Sequence, residues 1–146
     1  MAETNAATDI GLLTTFGKVV GGVYTPLAEM TELNPPETSR DSVEFTHFAS
    51  PDGYREFKPG LSDGGETSVT YNLIPGLYDD AVVHAHLADR TVDAWRIAYP
   101  NGAELNFKGF ATSHGHATPI DDRMTGSATW KVTGKPVMTP PVGGGA

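Results

Sequence analysis

The sequence contains no cysteine. That excludes a disulfide scaffold, a thiolate metal centre and a cysteine nucleophile. No stretch reaches the run of about 18 apolar residues that a membrane-crossing helix needs. Met1-Ala2-Glu3-Thr4-Asn5 has neither the basic start nor the apolar run of a secretion signal. The expectation from these absences is a soluble product made in a cytoplasm, without membrane contact. Basic residues are also scarce: 10 Lys and Arg stand against 18 Asp and Glu, a formal net charge of -8. A nucleic-acid grip needs clustered cations to neutralise phosphates, so specific binding of that kind is not expected. An acidic wall repels phosphate instead, which suits a surface past which a polyanion must slide.

Hydrophobic residues make up only 38% of the 146 residues, while Gly (17) and Pro (11) are plentiful. The length fits one compact domain, 1–146, with a modest core. The glycine and proline content points to many turns and to excursions that find partners on another chain. Residues 1–9 are small and polar and read as a flexible arm, and 137–146 read as a flexible tail.

Between these ends, alternation dominates. Residues 10–24 mix apolar residues with Thr and Gly, consistent with a strand bent near its glycines. The segment 27–33 alternates apolar and acidic residues as a strand does, although its composition also suits a helix. Val43-Glu44-Phe45-Thr46-His47-Phe48 alternates strictly and reads as a strand, as does 67–73. Between them lies a connection over 46–66, with a turn at Ser50-Pro51-Asp52-Gly53 and a Pro59-Gly60 interruption. A loop of that length inside a compact domain is usually functional, and Tyr54 and Phe57 beside charges suit a contact surface.

The helix expected is 77–88, with Asp79 and Asp80 in its first turn, where carboxylates suit the dipole. Leu77, Ala81, Ala85 and Ala88 fall on one face, which Tyr78 and Val82 widen. Strands follow over 94–99, 104–113 and 124–132, the first two joined by a Pro100-Asn101-Gly102 turn. The sum is about seven strands and one helix, a mainly β (α+β) domain. Trp95, Tyr99, Phe107, Phe110 and Trp130 read as core of a β-sandwich rather than as a sugar-stacking platform.

No hydrolase elbow, phosphate loop, dinucleotide fingerprint or zincin motif occurs, so no enzyme and no cofactor are expected. His84 and His86 diverge if they lie on a helix. His114 and His116 share a face if they lie on a strand, and Asp121 or Asp122 could complete a ligand set. The blander reading, solvated loop histidines, is preferred, and no metal is expected. Asp79-Asp80 and Asp121-Asp122 read as a helix start and a turn rather than as an acid–base pair.

One block carries a resemblance. Ser39-Arg40-Asp41-Ser42-Val43-Glu44-Phe45-Thr46-His47, Ser50-Pro51-Asp52-Gly53-Tyr54-Arg55-Glu56-Phe57 and Pro59-Gly60-Leu61-Ser62-Asp63-Gly64-Gly65-Glu66 resemble the signature of siphophage tail tube proteins. Tyr99-Pro100-Asn101-Gly102, Phe107-Lys108-Gly109-Phe110 and Val132-Thr133-Gly134-Lys135-Pro136-Val137-Met138 follow in the order seen in the lambda-like family. The immunoglobulin-like domain of the lambda type is not among these 146 residues, so surface decoration is not implied.

The resemblance implies a β-sandwich with a flanking helix, six copies of which form a ring whose inner strands join in one continuous barrel. Rings stack into a virion tail tube, assembled in the host bacterial cytoplasm, through which DNA passes without specific binding. It implies as partners further copies of the chain, a tail tip or baseplate, a tape-measure protein and a tail terminator. In that frame the 46–66 loop becomes the ring-to-ring contact, with Phe48, Tyr54 and Phe57 as aromatic anchors and Arg55 and Glu56 as charged contacts. Glu44, Glu66 and Glu104 become candidates for an acidic lumen. The alternatives are the tube of a phage-related secretion system and a monomeric β-sandwich binding module.

Overall fold

The computed structural model describes residues 13–141, and the expected N-terminal arm and the last five residues lie outside them. Strands β1 (Thr15–Val20), β2 (Val23–Pro26), β3 (Met30–Asn34), β4 (Ser39–Glu44), β5 (Phe57–Asp63) and β6 (Glu66–Asn72) precede the helix α1 (Tyr78–Asp89). β7 (Asp93–Ala98), β8 (Glu104–Ala117) and β9 (Thr125–Thr139) follow it. Seven strands form one antiparallel sheet in the order β2-β1-β7-β8-β9-β6-β3, and β4 and β5 form a separate two-stranded ribbon.

The sheet folds over on itself. In a flat sheet β1 and β9 would stand three strand spacings apart, about 14 Å. Yet the Phe16 ring of β1 lies 5.0 Å from that of Trp130 on β9. Leu27, the residue after β2, donates its N–H to the Phe16 carbonyl at 2.8 Å and extends the β1–β2 ladder by one pair, and within three residues the chain has crossed to β3 at the far edge. The expected sandwich is thus made by one curled sheet. Inside it, Phe16, Trp95, Phe107 and Trp130 form an aromatic cluster, Phe16 stacking on Trp95 at 5.3 Å and Trp95 tilting against Trp130 at 5.0 Å. All four are essentially inaccessible to solvent. Each such side chain contributes about 1.5–3 kcal/mol by burial, and alternation in β6, β7, β8 and β9 delivers the rest of the core.

Several expectations are corrected. The bend read into 10–24 is a hairpin, because Gly21 and Gly22 both take positive φ (57° and 83°), the geometry of a tight primed turn. The 46–66 loop is not a structureless connection: β4 and β5 pair from Ser39↔Asp63 to Glu44↔Phe57. Pro59 lies within β5, contrary to its reading as an interruption; a two-stranded ribbon leaves one side of each strand unpaired, so a missing N–H is tolerated. The segment 137–146 begins in strand, since β9 runs to Thr139 with Val137↔Asn106 and Met138↔Leu105 in register.

The helix also packs by a different face than its apolar stripe. Its buried residues are Asp79, Asp80, Val83 and His86, while Leu77, Tyr78, Ala81, Ala85 and Ala88 are exposed. Specific partners make this possible. The Asp79 carboxylate accepts the N–H groups of Ala28 (2.7 Å) and Glu29 (2.8 Å), pinning the first turn to the chain entering β3. His86 lies edge-on to Trp95 and accepts the Ala111 N–H on Nε2 at 2.9 Å, which leaves Nδ1–H to donate to Asp93 at 2.7 Å.

Candidate assembly surface

The β4–β5 ribbon stands outside the curled sheet, and every residue of β4 is exposed. A two-stranded ribbon is marginal by itself in water. Its base is tied to the body: Lys131 on β9 reaches Asp63 at 2.7 Å, and the Val132 N–H donates to the Gly65 carbonyl at 3.0 Å. Gly65 has φ 81°, and a Cβ there would collide with the Glu37 backbone, so the base of the ribbon requires glycine.

The tip is held by its own polar groups. The Glu56 N–H donates to Thr46 Oγ1 (2.9 Å), and the Thr46 hydroxyl donates to Glu44 (2.8 Å). Ser50 donates to Glu56 Oε2 at 2.6 Å and accepts the His47 N–H at 2.9 Å, and His47 Nε2 lies 3.2 Å from the same Glu56 oxygen. A turn of 3-10 helix, Pro51–Gly53, closes the tip, with Asp52 and Gly53 at positive φ. Among the described residues little covers the apolar side chains of this frame, apart from Lys58 Nζ lying 4.9 Å from the centre of the Phe45 ring. Phe48 is fully exposed, Tyr54 is 76% exposed and Phe57 55%. Phe45, Val43 and Leu61 add to the same exposed apolar set. A folded ribbon carrying this much uncovered aromatic surface has the character of a contact element.

Of the expected contact residues, Phe48, Tyr54 and Phe57 thus lie together on the ribbon, and Arg55 is exposed with no salt bridge among the described residues. Glu56 is engaged within the tip. The three lumen candidates are not brought together. Glu44 ends β4, whereas Glu66 and Glu104 lie on the outer face of the large sheet. There Glu66 stands across from Lys131, and Glu104 pairs with Arg96 at 3.4 Å. That outer face also carries Ser68, Thr70, Asn106, Lys108, Ser127 and Thr129, so it is polar with charges of both signs.

A second cluster lies where α1 crosses β8. A bulge between Ala111 and Ser113 inserts Thr112 and inverts the alternation of β8. Past it, His114 and His116 oppose the buried Ala128 and Gly126 and face inward. Asp80 and His84, one turn apart on α1, meet them. The ligand atoms of these four residues lie within 4.8 Å of one another, and Asp121 and Asp122, the partners considered from the sequence, are not among them.

Asp80 is the centre. Oδ1 lies 2.7 Å from His116 Nε2 and 3.3 Å from His114 Nε2, and Oδ2 lies 3.3 Å from His84 Nε2. Burial works to raise its pKa, but the Gly76 N–H, His116 and the Tyr71 hydroxyl outweigh burial and hold it at about 2. The Tyr71 hydroxyl is pushed up by burial and by that carboxylate. Burial, followed by the charges of His84 and His116, lowers His114 and favours its neutral form against the opposing pull of Asp80. The spacing Asp80-x-x-x-His84 was the sequence signal for this site; reading His84 with His86 instead obscured it.

Solved structures share this fold. The tail of an empty GTA particle with C6 symmetry aligns with a TM-score of 0.76 at 14% identity, over 91% of this chain and 100% of that one. The sheath–tube complex of the PVC extracellular contractile injection system aligns at 0.67 and 13% identity, over 86% and 87% of the two chains. The SPP1 tail tube aligns at 0.65 and 10% identity, over 86% and 74%. No curated protein matches the sequence. Residues 11–139 match the family described as lambda phage tail tube protein, and with nearly its whole length covered the chain belongs to that family.

Proposed function

We propose that the protein forms hexameric rings that stack into a tail tube, and that the β4–β5 ribbon of each subunit makes the ring-to-ring contact. The observation that carries this is the ribbon itself: a structured element outside the core, with Phe48, Tyr54 and Phe57 uncovered. Aromatic side chains bring large contact area at low entropic cost, which suits a subunit that stays soluble until a growing end is available. The sixfold symmetry follows the GTA tail with the same fold.

Lateral association uses the sheet. Its edges, β2 and β3, are short strands of four and five residues, and pairing between neighbouring subunits covers such edges. The polar outer face, with Glu66 and Glu104, then lines the channel. Mixed charge offers DNA no continuous cationic track on which to stick. The role is structural, and the partners are further copies of the chain and the proteins that start, measure and cap the tube.

Electron microscopy of the concentrated protein, with tails assembled in host cells alongside, tests this. Stacked rings with sixfold end views and ribbon density bridging successive rings are expected. A tube of another symmetry overturns the hexamer, and a tube whose rings meet through other surfaces overturns the role of the ribbon.

A further inference from the structure

We propose that Asp80, His84, His114 and His116 bind one divalent transition-metal ion of zinc-like preference, which clamps α1 onto β8. The donor set is three imidazole nitrogens and one carboxylate oxygen. Imidazole-rich sets favour Zn²⁺, Co²⁺ and Ni²⁺, whereas Ca²⁺ and Mg²⁺ demand oxygen ligands. In a tetrahedral zinc site, bonds of about 2.0–2.1 Å put neighbouring ligand atoms roughly 3.3 Å apart. From Asp80 Oδ1 to His116 and His114 the separations are 2.7 and 3.3 Å, already on that scale, and His84 lies 3.3 Å from the other oxygen, Oδ2. The four ligand atoms lie within 4.8 Å of one another, so binding draws the outer imidazoles in around the ion.

The site is built to receive a cation. The three imidazoles crowd edge to face at 4.7, 4.9 and 5.9 Å between ring centres, so protonating more than one brings like charges together. A metal needs neutral imidazoles and an ionised carboxylate, and a single ion satisfies all three rings at once. Asp80 is buried and oriented by the Gly76 N–H at 2.8 Å and the Tyr71 hydroxyl at 3.0 Å, as the outer partners of a metal-binding carboxylate are. His84 is half exposed and His116 a third exposed, which gives an ion a way in.

Four protein ligands fill a tetrahedral shell, so the role is structural. The ion joins α1, which already meets the core through Val83 with Val82 and Leu87 partly buried beside it, to the strand beneath it. It therefore adds a fixed link beside that short apolar contact, where Asp79, Asp80 and His86 make the rest of the buried face of α1 polar.

The test uses the full chain, stripped with a chelator, and Zn²⁺ alone as probe. Uptake of one ion per chain is expected, together with a rise in melting temperature on adding Zn²⁺. Co²⁺ should give the intense visible bands of a tetrahedral site. His84→Ala removes an exposed ligand from a helix that alanine suits, so its circular dichroism should match the parent while its Zn²⁺ affinity falls about tenfold or more. His116→Ala should do the same, and Asp121→Ala with Asp122→Ala should leave affinity unchanged. Folded, stripped protein that takes up no stoichiometric Zn²⁺ overturns the proposal. So does undiminished uptake in the folded His84→Ala and His116→Ala variants.

Discussion

Gly126 on β9 stands directly opposite Tyr71 on β6, and the Tyr71 ring covers it so closely that an added Cβ would lie within 2.6 Å of the phenol oxygen. The glycine gives the ring its place, and the ring places the hydroxyl that reaches Asp80 at 3.0 Å and His114 Nε2 at 2.7 Å. A backbone position in β9 thereby sets the geometry of a side-chain cluster on α1 and β8.

Gly126→Ala should therefore overpack this site. Tyr71 is fully buried in the core, so its ring cannot swing out into solvent to make room. A destabilisation of about 1–3 kcal/mol is expected, measured as a lower urea midpoint with an unchanged slope. A midpoint equal to the parent would mean that the ring turns aside freely, and the constraint on Asp80 would be lost with it.

Asp93 gives a pH dependence whose sign is fixed. Burial works to raise its pKa, but hydrogen bonds from His86 and Lys18, the Lys18 charge and the Thr91 hydroxyl more than offset this and leave it lowered. A carboxylate with a depressed folded pKa stabilises the fold above its unfolded value, near 3.9, and loses that contribution as pH falls through the folded value. Urea midpoints of the parent and Asp93→Asn should converge as pH falls below about 4, with the parent more stable at pH 6. A gap between the two that is constant across this range would show that Asp93 does not titrate with folding.

Most strands and most of the aromatic core were legible in the sequence because their alternation is local; Phe110, expected in the core, is instead 39% exposed, and the strand read over 43–48 ends at Glu44. Val69, Tyr71, Trp95, Ile97 and Trp130 each fall where period-2 reading puts them inside. The face of α1 was not legible. Its buried Asp79 and His86 are satisfied by Ala28, Glu29, Asp93 and Ala111, and pairing of that kind depends on chain folding rather than on periodicity. The ribbon was hidden for the opposite reason. Pro59-Gly60 is a local break signal, and the long-range pairing of β4 with β5 overrides it. The histidine cluster was half legible: His114 and His116 share a face as expected, but the bulge at Thr112 decides which face, and no pattern announced it.

The outer sheet face tests the channel. Glu66→Lys with Glu104→Lys adds cations to a face already carrying Arg96, Lys108 and Lys131. Both positions are solvent-accessible, so stability should change by no more than about 1 kcal/mol, mostly from the lost Arg96 pair. If this face lines the channel, the new cations attract phosphate and DNA release from assembled particles slows, with the delay relieved by added salt. Release at the parental rate, from particles containing the variant, would place this face elsewhere in the tube.

The ribbon aromatics separate folding from assembly. Tyr54 and Phe57 contribute little to the isolated subunit because most of each is already in water. Replacing both by alanine should shift subunit stability by about 0.5 kcal/mol or less. At a ring interface the same two side chains act as buried anchors, where each truncation typically costs 2 kcal/mol or more. Every subunit of a ring carries the change, so the loss repeats around the contact and is not averaged away. Tyr54→Ala with Phe57→Ala should give a folded subunit that builds few or short tails, scored by electron microscopy of lysates and by the melting temperature of the purified chain. Tails of normal length from a folded double variant would move the ring contact off these anchors, and the exposed apolar stripe of Leu77, Tyr78 and Ala81 on α1 would become the next surface to substitute.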